Sequence, residues 1–96
     1  MNEEKLKNGK LIENLLGSRA RVKILKLLAF KTELNISSII KKTNLNHKNV
    51  DKHLKYLKKV DLVQQKNFGR IRIYRFKEEN IKARSFKNFL KIWEEK

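Results

Sequence analysis

Lysine and asparagine crowd NHKNVDKHLKYLKK at residues 46–59, and NFGRIRIYRF at residues 67–76 holds three of the six arginines in the chain. These groups supply donors and positive charge rather than a nucleophile. An asparagine amide matches the paired donor and acceptor of adenine, lysine donates to guanine N7 and O6, and the guanidinium fork suits phosphate oxygens. If residues 47–60 are helical, Val50, Leu54 and Leu57 form an inward stripe spaced i, i+4, i+7, and Lys48, Lys52, Lys55 and Lys59 face outward with Asn49 and Tyr56 beside them. That outward face is shaped for a nucleic-acid groove. His47, Lys48, Asn49 and Lys52, in the first turns, are candidates for base edges, and Lys55 and Tyr56 for flanking phosphates. An ordinary solvated lysine face is the plain alternative for any charge run.

The arginine-rich stretch weighs against that alternative. Arg70 and Arg72, next to Gly69, are placed to reach a phosphate chain or a narrow minor groove, although charges on an edge strand also serve simply to prevent aggregation. Arg75 lies further in. Ser37 and Ser38 stand at an expected helix start, where hydroxyls and backbone N–H groups hold a phosphate; capping alone explains Ser37 equally well. His53 falls at the edge of the buried stripe and reads as an interface or DNA-backbone contact.

Other chemistry is poorly supplied. The chain has no Cys and two His, so there is no thiolate site or disulfide framework, and no metal or cofactor is expected. Acidic residues are scattered, no Gly-rich phosphate loop occurs, and no nucleophile stands beside a base; an enzyme is not expected.

These residues need elements to position them. Leu11, Ile12, Leu15 and Leu16 give a short helix stopped by Gly17, and Ser18 to about Phe30 forms the first body helix around Ile24, Leu25, Leu27 and Leu28. Leu34 and Ile36 suggest a short strand, and Ser37 then caps a helix through Thr43 with Ile39 and Ile40 inward. Asn44-Leu45-Asn46 makes the turn into the cationic helix, giving a helix-turn-helix. Leu62 and Val63 open a strand, Asn67 to Arg70 turn it, and Ile71 to Phe76 return as the second strand of a hairpin. Glu78 to Glu95 reads as a last helix with Ile81, Phe86, Phe89, Leu90 and Trp93 along one stripe. The expected fold is mainly α with a small β-hairpin wing, an α+β winged helix-turn-helix, in one domain spanning 1–96.

Charge and length agree with this picture. Twenty-five Lys and Arg against ten Asp and Glu leave a net charge of +15 over 96 residues, suited to a polyanion. No window approaches a membrane-spanning apolar run, and the N-terminus lacks a signal-peptide core, so a cytoplasmic, nucleoid-associated chain without a membrane partner is expected. A chain this short has a modest core unless a partner shares it. Terminal helices over 1–16 and 79–96 carry surplus apolar area at Leu11, Leu15, Phe86, Phe89, Leu90 and Trp93, which suggests a homodimer interface. Folding back onto their own domain is the alternative. A two-fold pair would set two recognition helices about 34 Å apart on a palindromic duplex.

The SRARVKILKLL helix, the LNISSIIKKTNLNHKNVDKHLKYLKKVDLV segment and the GRIRIYRF hairpin together resemble the ArsR-type winged helix-turn-helix regulators in their small archaeal and bacterial forms, over residues 16–90. The resemblance implies a homodimer joined through its terminal helices that binds double-stranded DNA at an operator, usually as a repressor. It also implies that Asn46 to His53 face DNA and that Gly69 to Arg72 form the wing tip. Metal-sensing members have a cysteine pair near positions 34–39 or Asp and His ligands in the last helix, and this chain has neither. Where the family usually places Gly after the recognition helix, this chain has Asp61. A sequence-specific dimeric transcription regulator is the first expectation, and an architectural protein coating DNA by charge is the second.

Overall fold

The computed structural model describes residues 10–94, so the first nine positions of the expected N-terminal helix and Glu95 of the last one lie outside the described residues. Helix α1 (Leu11–Leu16) is only six residues long and ends at Gly17. Gly17 keeps a right-handed φ of −75° and donates its N–H to Glu13 O at 2.8 Å. Glycine is needed for clearance: a Cβ there would sit 2.6 Å from that same oxygen. Ser18 caps α2 (Arg19–Lys31), its hydroxyl accepting from Arg21 N at 3.2 Å.

Two asparagines organise the helix-turn-helix. Asn35 caps α3 (Ile36–Thr43) by accepting from Ser38 N at 2.8 Å, and Asn46 caps α4 (His47–Lys59) by accepting from Asn49 N at 2.8 Å. The expected cap at Ser37 is therefore corrected to Asn35, whose longer side chain reaches the N–H three residues on. Between the helices Asn44 takes the left-handed conformation, φ 58° and ψ 32°, which asparagine accepts more readily than most residues. Asp61 does the same after α4 at φ 66°.

Strand β1 (Glu33–Asn35) is not the Leu34–Ile36 segment expected, because Ile36 already begins α3. It pairs antiparallel with β3 (Ile71–Phe76), Leu34 opposite Tyr74, while β2 (Val63–Phe68) pairs along the other edge of β3, Val63 opposite Phe76 and Phe68 opposite Ile71. The wing thus belongs to a three-stranded sheet in the order β1-β3-β2. The expected four-residue turn shrinks to Gly69-Arg70, with Gly69 at φ 60° in the first central position, where a tight hairpin turn requires positive φ. Asn80 caps α5 (Ile81–Trp93), so Glu78 and Glu79 precede that helix rather than opening it.

The core lies where α2, α3 and α4 meet one face of the sheet. Ile24, Leu25 and Leu28 of α2, Ile39 of α3, Val50, Leu54 and Leu57 of α4, and Val63, Tyr74 and Phe76 of the sheet are almost wholly buried. Ile71 and Ile73 point to the opposite face of β3, and at the tip Phe68 and Ile71 are 60% and 54% exposed. Only the inner end of the hairpin is packed. The tip stands in solvent, as far from the core as two short strands carry it.

Candidate nucleic-acid interface

Burying Val50, Leu54 and Leu57 against the body leaves α4 with one outward face, and His47, Lys48, Asn49, Lys52 and Lys55 are all exposed on it. The side chains of His47, Lys48 and Lys52 make no ion pair or hydrogen bond among the described residues, so their charge and donors remain available to a ligand. The Asn46 amide oxygen is already used by the cap. It holds the first turn of α4 in place, which leaves the exposed Asn49 amide on a rigid frame.

Asp51 is the one acidic residue between positions 34 and 60. It turns out to fix the wing. Its Oδ1 accepts from Arg72 NH1 at 2.9 Å, its Oδ2 lies 3.5 Å from Lys55 Nζ, and the same Arg72 nitrogen reaches the buried Tyr74 hydroxyl at 3.3 Å. The Arg72 hydrogen bond holds the Asp51 carboxyl below its ordinary range against the opposing effect of burial, and Lys55 adds to the lowering. Arg72 is raised by the same hydrogen bond. The expected wing-tip contact at Arg72 is therefore corrected: its guanidinium ties β3 to α4 and sets the distance between wing and recognition helix. Arg70, beyond it in the turn, is exposed and makes no hydrogen bond or ion pair among the described residues. Arg75 spends its guanidinium on Gln64 and Glu79, at 2.7 Å to each from NH2, and drives the Glu79 carboxyl down to about 2.

His53 is a second correction. It is 6% exposed and belongs to the buried side of α4, where Nδ1 accepts from Arg21 Nε at 3.3 Å. Burial, then the charges of Arg21 and Lys52, hold its pKa below 6.5. Its position, six residues after His47, carries it round to the face shared with Leu54 and Leu57. Arg21 gathers several elements here: NH1 donates to Asn14 O at 2.7 Å, and the guanidinium lies 3.7 Å from the centre of the Tyr56 ring. Tyr56 is half-buried beneath it. Ser37 is exposed, whereas the Ser38 N–H is taken by Asn35, so the phosphate cradle expected at these two serines lacks one amide.

The terminal helices present a separate surface. Leu15 and Leu90 are each 5% exposed within this one chain, which corrects their expected availability to a partner: their side chains are already covered by the chain itself. Phe89 and Trp93 stand 46% and 72% exposed in a ladder with Phe86, ring centres 6.4 and 5.6 Å apart, joined by Ile12 and Ile92. An apolar cavity of about 480 Å³ between α1 and α5 is lined by Leu11, Leu15, Phe86 and Phe89 among others. No three His, Asp or Glu side chains converge on a possible ion among the described residues.

The sequence model of the bacterial regulatory proteins of the arsR family matches residues 18–65, from the α2 cap through the helix-turn-helix into β2. The chain belongs to the arsR family. Members of this family are transcription regulators. No curated protein sequence matches the chain. Among solved structures, HlyU from Vibrio cholerae superposes with a TM-score of 0.78 at 18% identity, covering 97% of each chain. NolR from Sinorhizobium fredii gives 0.75 at 18% identity, over 95% of this chain and 91% of that one. A Mycobacterium bovis domain described as a homodimeric winged helix-turn-helix DNA-binding domain of a possible ArsR-family transcriptional regulator gives 0.74 at 22% identity, over 94% and 81%. At these identities the likeness establishes the winged helix-turn-helix fold. The arsR match ends at Gln65, so most of the wing and all of α5 lie beyond it.

Proposed function

We propose that this arsR-family chain is a single-domain, sequence-specific regulator that binds double-stranded DNA as a homodimer and represses by occupying its operator. The observation that carries the reading is the unpaired outward face of α4, His47, Lys48, Asn49 and Lys52, held beside the wing by the Asp51–Arg72 ion pair. In this arrangement the first turns of α4 read base edges in the major groove, Lys55 and Arg70 contact the backbone or minor groove, and Ser37 adds a hydroxyl near a phosphate. The exposed ladder of Phe89 and Trp93 with Ile12 and Ile92 supports pairing through α1 and α5 across a two-fold axis, as does the homodimer described for the Mycobacterium bovis relative. Work at the nucleoid, in the cytoplasm and without a metal effector, completes the proposal. The lack of Cys supports the last part.

The net charge of +15 supports a second reading, an architectural protein that coats DNA with little base readout. Binding to a genomic fragment selected by the protein, compared with a scrambled duplex across a salt series, separates the two. Sequence-specific regulation requires a preference on the order of 10³ or more, and a ratio near one leaves only charge-driven coating.

A further inference from the structure

Helix α2 carries apolar residues on two opposite sides, with lysines and arginines between them. Its buried face, Ile24, Leu25, Leu28 and Ala29, already fills the core, yet a second stripe of Val22, Leu27 and Phe30 remains on the far side, with Phe30 46% exposed. A helix with apolar residues on opposite sides needs cover on both. Together with Leu45 from the helix-turn-helix turn, this stripe floors an open groove of about 1020 Å³ between α2 and α3. No residue of α4, the wing or α5 lines it. The groove is therefore separate from the DNA face and meets the apolar surface of α1 and α5 at one residue, Leu16, which lines both.

Its rim is uniformly cationic. Arg19, Lys23 and Lys26 stand along α2 and Lys42 opposes them from α3, with no acidic residue in the lining. One acidic group does meet this rim: Glu94, at the end of α5, forms an ion pair with Lys26. Charge argues for an occupant that brings carboxylates to its edges, since Arg19, Lys23, Lys26 and Lys42 rim the groove. Shape argues for a helix. The lining positions 19, 22, 23, 26, 27 and 30 follow one ridge of α2 for about three turns, or roughly 17 Å, the span of a short amphipathic helix laid beside it.

We infer that the α2–α3 groove is a docking site for an acidic amphipathic helix of another protein, through which the DNA-bound chain recruits or answers to a partner. Apolar side chains of that helix at i, i+4, i+7 and i+11 cover Val22, Leu27 and Phe30, and its flanking carboxylates meet Lys23, Lys42 and Arg19. The partner binds while α4 and the wing remain on DNA.

The test uses the full chain and a fluorescent synthetic helix of about 14 residues, with Leu at those four positions and Glu beside them. A shuffled peptide of identical composition is the control. Salt of ~0.3 M, where the Debye length is on the order of 6 Å, suppresses simple charge attraction. The amphipathic peptide is expected to bind at least about tenfold more tightly than the shuffled one, and Phe30→Glu and Lys23→Glu are each expected to weaken it by about tenfold. Lys23→Glu keeps the test valid if Phe30→Glu disturbs folding. A saturating duplex is expected to leave the peptide bound. Equal affinity for both peptides, or indifference to both substitutions, overturns the inference. Displacement by duplex would assign the groove to the DNA face. Loss of self-association in Phe30→Glu would assign it to a second copy, and a gain of about tenfold or more in peptide affinity on removing residues 1–9 would assign it to the chain's own N-terminus. Each of those three outcomes also overturns it. None depends on whether DNA binding is sequence-specific.

Discussion

Asp51 reaches the proposed binding face through Arg72, which it holds by an ion pair. Paired with Arg72 at 2.9 Å, both side chains less than a third exposed, it couples the wing to α4, an ion pair with a contribution of about 1 kcal/mol. Asp51→Asn raises the net charge, so binding to scrambled duplex is expected to strengthen slightly, while affinity for the selected operator falls by about fivefold. Fluorescence anisotropy on both duplexes checks this, and parallel strengthening on both would remove the positioning role. His53 makes a different prediction. Because its pKa is lowered by burial, the unfolded chain takes up a proton near 6.5 while the folded chain does not. Stability is therefore full above that pH and declines as pH falls from 6.5 toward the folded value. Urea midpoints at neutral pH and near pH 5 measure the loss, and His53→Gln, which cannot titrate, is expected to reduce the difference between them.

At the scale of elements, the proposed DNA complex gives α4 and the wing separate tasks, which substitutions divide. Arg70→Ala is expected to weaken all duplexes by similar factors and reduce the salt slope by about one, whereas Asn49→Ala shifts base preference. Uniform loss in both variants would refute that division. The helices of this fold were legible in the sequence because their apolar residues recur at helical spacing, and Val50, Leu54 and Leu57 lie on the buried stripe assigned to them. What periodicity could not reveal was long-range pairing. Three residues of β1 are too few for an alternating pattern, so their place against Tyr74 depends on contacts some forty positions away. Separation in sequence also hid the partners of Asp51 and His53, since Arg72 lies 21 positions from the first and Arg21 32 from the second.

For the whole molecule, the proposed pairing through the apolar ladder on α1 and α5 would bring two such faces together. Replacing Trp93, 72% exposed, with Glu is expected to leave the fold intact and yield monomers in sedimentation, with binding to a palindrome reduced to that of a half-site. Dimers that survive would move the interface elsewhere. The two-residue turn at Gly69-Arg70 has a consequence for descent. Because the outermost strand pair, Phe68 and Ile71, packs against nothing in the core, residues inserted there in twos on each strand would preserve every inward-facing side chain. Each such step lengthens the hairpin by about 7 Å. Natural variation can thus retune how far the wing reaches along a duplex in discrete increments, while the hydrophobic centre of the protein stays unaltered.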